Sequence, residues 1–206
     1  IAGCGTGRHA IMYATAYRGA RVTAIDLSRA SLAYAARKAD ELGIDNIEFL
    51  CADVLDVEAL GASFDVISSI GVLHHMADPA EGLRRLAGFL APGGYMMLGL
   101  YSEAARLDIV ELRSIIAREG FRPTIEGIRA CRRFIRNQPG DRFRALIGEA
   151  ADFYSTSMVR DLLFHVMEHR FTIPQLAELL AQNRLRFLGF TFEDAAAKQR
   201  YAAAYP

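Results

Sequence analysis

The chain is predicted to fold as an α/β protein with a doubly wound, mostly parallel sheet, and three observations carry that prediction. Glycines stand at alternate positions, Gly3, Gly5 and Gly7, directly before a helical stretch. Short apolar runs that read as strands then alternate with amphipathic helical stretches through residue 100. The connections between them are short, and each crossover in such a sheet is expected to be right-handed.

Ile1-Ala2 runs straight into Gly3-Cys4-Gly5-Thr6-Gly7, so the first strand is expected to be cut short here. His9 to Tyr17 has the spacing of a short helix, with Ile11, Met12 and Ala16 available to the core and Gly19 closing it. Arg21 to Asp26 reads as a strand, and Ala30 to Leu42 as a long helix capped by Ser28 and ended by Gly43. Asn46 to Leu50 is the next strand. Phe64 to Ser69, mostly apolar, reads as a strand buried on both faces of a parallel sheet. Asp78-Pro79 opens a helix expected to reach about Leu90, with Leu83, Leu86 and Leu90 on one face. Pro92-Gly93-Gly94 is expected to turn the chain into a strand over 95–100, the fifth counting the shortened first.

Residues 102–171 break the alternation. They offer helices over Ala104 to Arg118, Ile125 to Ile135 and Met158 to Glu168 and read as a helical insertion capping the end of the sheet. Alternation resumes with a helix opened by Thr172 and Pro174, then a strand over Leu185 to Phe192 and a final Ala-rich helical stretch, with a last strand expected to be cut off.

With 206 residues, 52% of them hydrophobic, the chain can bury one large core, and a single domain over 1–206 is expected. No apolar run reaches the roughly 20 residues that span a bilayer, and no leader precedes a cleavage site, which points to a cytoplasmic protein without a membrane partner. Cys4, Cys51 and Cys131 are odd in number and far apart, so they suggest neither a disulfide framework nor a metal site. Net charge is zero, which removes the general electrostatic argument for nucleic acid. Nine arginines between Arg113 and Arg144 face only three acidic residues, an excess read as a solvated helix face, with an anionic partner as the alternative.

A strand that enters three alternate glycines and then a helix lets the backbone turn sharply and brings its amides close to a ligand. Asp26 ends the following strand 23 residues after Gly3, about where an acidic side chain accepts hydrogen bonds from a ribose diol in nucleotide-binding folds. Such ligands sit beyond the carboxyl ends of the strands at a topological switch point. A nicotinamide fingerprint would carry glycine or alanine where this chain has Arg8, so a different adenosine cofactor is indicated.

The order of motifs over residues 1–101 resembles the class I S-adenosylmethionine-dependent methyltransferases. Gly3-Cys4-Gly5-Thr6-Gly7 matches the family's first motif and Ala24-Ile25-Asp26-Leu27-Ser28 its second. Cys51-Ala52-Asp53 is similar to the third, whose acidic side chain receives the adenine amino group. Ser69-Ile70-Gly71-Val72-Leu73-His74-His75-Met76 resembles the segment beside the methionine part, and Leu90-Ala91-Pro92-Gly93-Gly94 the entry to strand five. The resemblance implies S-adenosylmethionine as cofactor, S-adenosylhomocysteine as product, and contacts from Ala2 to Gly7, Asp26, Leu27, Ser28, Ala52, Asp53, Val54, Ser69, Ile70, Gly71 and His74. Two departures stand out: Ile1 occupies a position where many members carry an acidic residue, and no antiparallel last strand follows Phe192. The block from Asp152 to Thr172 is similar to bacterial methyltransferase domains that follow tetratricopeptide repeats, which implies an N-terminal repeat domain outside this chain.

Methyl transfer by direct displacement asks the protein chiefly to hold a nucleophile in line with the sulfonium methyl. If that nucleophile must lose a proton, His74, His75 and Tyr101 are the candidate bases, each with a plain structural role as the alternative. Phe153, Tyr154, Arg160 and His165 are expected to form a substrate rim contributed by the insertion. On a helix, His165 and His169 would share a face, but no third ligand is evident and no metal is expected. The acceptor, protein or small molecule, stays open, because fold does not choose it. A nicotinamide-dependent oxidoreductase and a non-catalytic cofactor-binding module of a larger protein are the alternatives.

Overall fold

A computed structural model describes residues 1–137, 153, 155–192 and 194–204. In chain order it contains α1 (Arg8–Ala16), β1 (Val22–Asp26), α2 (Arg29–Glu41), β2 (Ile47–Cys51), β3 (Phe64–Ile70), α3 (Pro79–Gly88) and β4 (Leu90–Gly99). There follow α4 (Leu107–Arg118), α5 (Ile125–Arg136), α6 (Thr156–Phe164), α7 (Ile173–Gln182) and α8 (Ala195–Ala204). Residues Ile1–Thr172 form one compact unit and the remainder a second.

The expected α/β architecture is present. Strands β1 and β2 pair in parallel from Val22↔Ile47 to Asp26↔Cys51, and β3 and β4 pair in parallel up to Ile70↔Gly99. The first two residues join these pairs. The Ala2 amide donates to the Ser68 carbonyl at 2.8 Å, while the Ile25 amide donates to the Ile1 carbonyl at 2.9 Å. The spatial order is therefore β2, β1, Ile1-Ala2, β3, β4. The chain moves from the centre to one side and then crosses to the other, which creates the switch point beside Gly3.

Local chemistry sets the helix boundaries. Ser28 accepts from the Ser31 amide to start α2, Asp78 accepts from the Ala80 and Glu81 amides to start α3, and Thr124 and Ser155 do the same for α5 and α6. Small residues bring α1 and α2 close to the sheet: Ala10, Ala14, Ala24, Ala35 and Ala39 are all buried. One boundary differs from expectation. Helix α3 stops at Gly88, and Leu90 pairs with Phe64 instead of extending the helix, so β4 begins before Pro92-Gly93-Gly94. Those residues form a register shift within the strand pair, where they were expected to precede it.

The insertion folds back on its own starting point. The Phe171 amide donates to the Tyr101 carbonyl at 2.8 Å and the Glu103 amide to the Phe171 carbonyl at 3.0 Å, closing the base of 102–171 just past β4. Ile109, Leu112 and Ile116 of α4, Ile128, Cys131 and Ile135 of α5, and Val159, Leu162 and Leu163 of α6 make a core of their own. The arginines of α5 divide as a solvated face would require, with Arg129, Arg133 and Arg136 exposed; Arg142 and Arg144 lie outside the described residues.

In the second unit the expected helix is α7, but 185–192 forms no strand among the described residues. An extended segment becomes a strand only when its backbone is paired. Here the aromatic side chains gather locally instead: Phe187 packs on Phe190 with ring centroids 4.9 Å apart, and Phe190 and Phe192 pack on Tyr201 of α8 at 5.7 and 5.1 Å. Among the described residues, no helix is long and apolar enough to cross a membrane.

Candidate functional site

Parallel register places the carboxyl ends of all four strands on one edge, and the glycine turn rises between β1 and β3 on that edge. Gly3, Gly5 and Gly7 all have positive φ, at 74°, 53° and 85°, which side chains other than glycine adopt at a cost. Two of them serve different ends. A Cβ on Gly3 would overlap the Val72 side chain, so this glycine lets the post-β3 loop pack over the turn. A Cβ on Gly5 would meet nothing within 4 Å, so this part of the turn borders open space.

Asp26 holds the turn against the end of β1. Its Oδ2 accepts from the Gly5 amide at 2.7 Å and its Oδ1 from the Ser28 amide at 2.8 Å. A carboxylate offers about four acceptor positions, so two remain for hydroxyl groups of a ligand. The sequence pointed to Asp26 as a ligand residue, and the structure adds its role in fixing the loop. Cys4 contributes backbone alone: burial, with the Asp26 carboxylate beside it, pushes its thiol up to about 11. After β2, Asp53 caps the short turn over 54–60 through Oδ1, which accepts from the Leu55 amide at 2.9 Å. Leu27 is exposed beside Asp26, whereas the Val54 side chain is buried in the protein.

Beyond β3, Ser69 is fully buried with no hydrogen-bond partner for its hydroxyl among the described residues, and Gly71 borders open space. His74 is only 1% exposed. Burial, with His75 adjacent, lowers its ring to about 4, so it is neutral at physiological pH. It stacks on Tyr101 with ring centroids 3.8 Å apart, and the Arg106 guanidinium lies over the Tyr101 ring at 3.8 Å. His74 thus lies as a buried wall behind the loop, with its ring shielded from solvent and packed on Tyr101.

His75 is the histidine of this pair that reaches the insertion. Its ring stacks on that of His165, with centroids 3.7 Å apart, and its Nδ1 lies 2.9 Å from the Met167 carbonyl. The chain from 165 to 169 is held against the loop at several points. Arg113 donates to the His165 carbonyl, Glu168 receives Arg106 and Arg113, and the His169 amide donates to the His74 carbonyl at 2.7 Å. Glu168 is 2% exposed in its side chain. Burial pushes it up, but the Arg106 hydrogen bond and the charges of Arg106, Arg113 and Arg170 outweigh this and hold it below the ordinary carboxylate value.

The expected substrate rim divides. His165 does lie beside the post-β3 loop. Phe153 does not form a rim: it is 3% exposed and packed in the core of the insertion, because its ring completes the contact between helices. Arg160 is a strut, its Nη2 donating to the Pro123 carbonyl at 2.8 Å between α6 and the turn before α5. Tyr154 lies outside the described residues. His165 and His169 do not share a helix face, because α6 ends at Phe164 and His165 is already extended. Asp161, Arg106 and Glu168 went unrecognised in the sequence; the only local signal was the four-residue spacing of Asp161 and His165, while His75 is far away along the chain.

A methyltransferase domain family matches residues 2–94. An uncharacterized protein of Synechococcus sp. is 33% identical over 203 residues, covering 94% of this chain and 48% of that protein. A ubiquinone biosynthesis O-methyltransferase of Caulobacter sp. is 34% identical over 154 residues, covering 74% of this chain and 58% of the relative. The chain therefore spans about half the length of these curated relatives. The structure of PKMT2 from Rickettsia typhi in complex with AdoHcy superposes with a TM-score of 0.74 at 20% identity, covering 99% of this chain and 43% of that one, which shows a shared fold. With the motifs in order and the glycine turn at the switch point, the methyltransferase-domain match over residues 2–94 supports a class I S-adenosylmethionine-dependent methyltransferase.

Proposed function

We propose that the protein transfers the methyl group of S-adenosylmethionine to an acceptor, a protein or a small molecule, by direct displacement. The observation that carries this reading is the Gly5–Asp26 pair: an open glycine turn whose amide is locked to a carboxylate at the switch point of a parallel sheet. That arrangement suits an adenosine ligand lying along the strand ends. When bound, S-adenosylmethionine supplies a methyl group made electrophilic by its sulfonium.

The contacts belong to the same proposal. Ala2 to Gly7 present backbone to the ligand, and Asp26 accepts from the ribose hydroxyls with the capacity that Gly5 and Ser28 leave it. Leu27 and Ser28 follow on the same edge; Ala52 and Asp53 receive the adenine, with Val54 supporting them from inside. Ser69, Ile70 and Gly71 flank the methionine portion. Residues 1–101 thus bind the cofactor and 102–171 cap the acceptor side. No general base is assigned, since displacement needs one only when the acceptor must lose a proton. The relative named as an O-methyltransferase supports the reaction class, and the nicotinamide reading has no such support.

The test is transfer of label from methyl-labelled S-adenosylmethionine to a panel of peptides and small hydroxyl or amine acceptors. Label moved to one acceptor class, with S-adenosylhomocysteine formed in equal amount, is the expected result. Preferential binding of NAD, or cofactor binding without turnover on any acceptor by the full-length protein, would overturn the enzymatic reading in favour of the oxidoreductase or the binding module respectively.

A further inference from the structure

Where the insertion meets the post-β3 loop, His75, Asp161 and His165 bring three ligand atoms within 4.8 Å of one another. The Nε2 atoms of His75 and His165 lie 3.8 and 4.0 Å from the same Asp161 oxygen. Both gaps are too long for hydrogen bonds. In a tetrahedral metal site with bonds of about 2.0–2.1 Å, neighbouring donor atoms stand about 3.3 Å apart. The two edges to Asp161 are therefore long by about 0.5 and 0.7 Å, the third lies within 4.8 Å, and sharing one ion also requires the two stacked imidazoles to turn so that their in-plane lone pairs converge.

The tautomer of His75 is already set for this. A carbonyl can only accept, so the 2.9 Å contact with the Met167 oxygen puts the proton on Nδ1 and leaves Nε2 as a bare lone pair facing Asp161. A histidine ligand oriented by a backbone carbonyl in this manner is the common arrangement at metal centres. His165 pays a small cost. Its Nδ1 accepts from the Met167 amide at 3.2 Å, so coordination through Nε2 moves its proton to Nδ1 and breaks that one local bond. The backbone around it is held by Arg113 at the His165 carbonyl and by Glu168 between its arginines, so the ligand set is anchored on both sides.

We propose that His75, Asp161 and His165 form a binding site for a divalent transition-metal ion of the zinc class. Two imidazoles and one carboxylate suit zinc, cobalt or nickel, where calcium or magnesium would call for oxygen ligands. The Asp161 side chain is 53% exposed, so the fourth position is open to water or to an oxygen of a bound molecule. The site pins α6 to the loop after β3 and does not depend on the methyl-transfer reading.

Cobalt(II) serves as the probe, because its visible absorption bands report nitrogen and oxygen coordination directly. Titration of the metal-stripped protein should give saturable bands at one ion per chain, displaced by zinc. Asp161→Asn and His165→Ala should each weaken binding at least tenfold, and His169→Ala should leave it unchanged. Asp161→Asn alters an exposed side chain and so reads the site without threatening the fold, with the urea unfolding curve as control. Absence of bands with the parent protein, or equal binding by parent, Asp161→Asn and His165→Ala, would overturn the proposal.

Discussion

Replacing Gly5 by alanine separates the two duties of the glycine turn. Gly5 holds φ 53°, and an alanine there costs about 1–2 kcal/mol in left-handed backbone strain. Nothing lies within 4 Å of the added Cβ, so no clash adds to that figure. The expected fall in melting temperature is then only a few degrees, at about 2–4 °C per kcal/mol for a chain of this size. Ligand binding should suffer more, because the methyl group occupies the open side of the turn where the backbone must approach the ligand. Loss of one close backbone contact, worth about 1–3 kcal/mol, weakens affinity about 5- to 150-fold. Gly3→Ala is the contrast: its Cβ overlaps Val72 at φ 74°, so overpacking of about 1–3 kcal/mol adds to the same strain and the fold itself is destabilised. Urea unfolding and calorimetric titration with S-adenosylhomocysteine, run on both variants, separate the effects. If Gly5→Ala bound the ligand as tightly as the parent protein, the open side of the turn would not be the cofactor face.

Three further outcomes follow from other parts of the structure. Phe153→Ala should cost about 3–5 kcal/mol in urea unfolding through the cavity left in the insertion core, while cofactor affinity measured on the folded fraction stays unchanged; a selective loss of acceptor binding would restore it to the rim. Glu168 has its folded value held below the ordinary 4.5, so the stability it contributes is present above about pH 4.5 and is lost as pH falls below that. Glu168→Gln should therefore lower stability at pH 7 by about 3–5 kcal/mol and flatten that acid limb, and a parallel limb in both proteins would contradict the assignment. Aromatic disulfide reagents at pH 8 should label Cys51, which is exposed, quickly and Cys4 and Cys131 slowly, since burial pushes both of these thiols up to about 11; rapid labelling of all three would contradict this.

The parts of the fold that could be read in the sequence are those fixed by neighbours in the chain. The Ser28 and Asp78 caps, the turn at Gly43 and the strand at β3 each carry their signal within a few residues and are present, but β3 is not buried on both faces along its length: Asp65 and Val66 are exposed and only Ile67, Ser68 and Ser69 are buried. Asp26 was legible because strand length and the glycine turn together fix where an acidic side chain falls. What failed depended on partners far along the chain. The apolar run over 185–192 has strand composition, but its aromatic rings pack on Tyr201. Leu90 fits the apolar face of a helix equally well, yet its pairing with Phe64 decides the outcome. The side chains of Phe153 and Arg160 have the types of a binding rim, and nothing in their spacing tells a core from a cleft. His165 lies next to His75 only because 102–171 returns to its starting point through the pairing at Tyr101 and Phe171.

Whether the glycine turn and Asp26 form the cofactor site is decided by titrating S-adenosylhomocysteine calorimetrically into the parent protein and into Asp26→Ala. One-site binding to the parent and its loss in the variant are expected, with the variant still unfolding cooperatively in urea. Absence of binding to the parent, or equal affinity in a folded Asp26→Ala, would contradict this assignment.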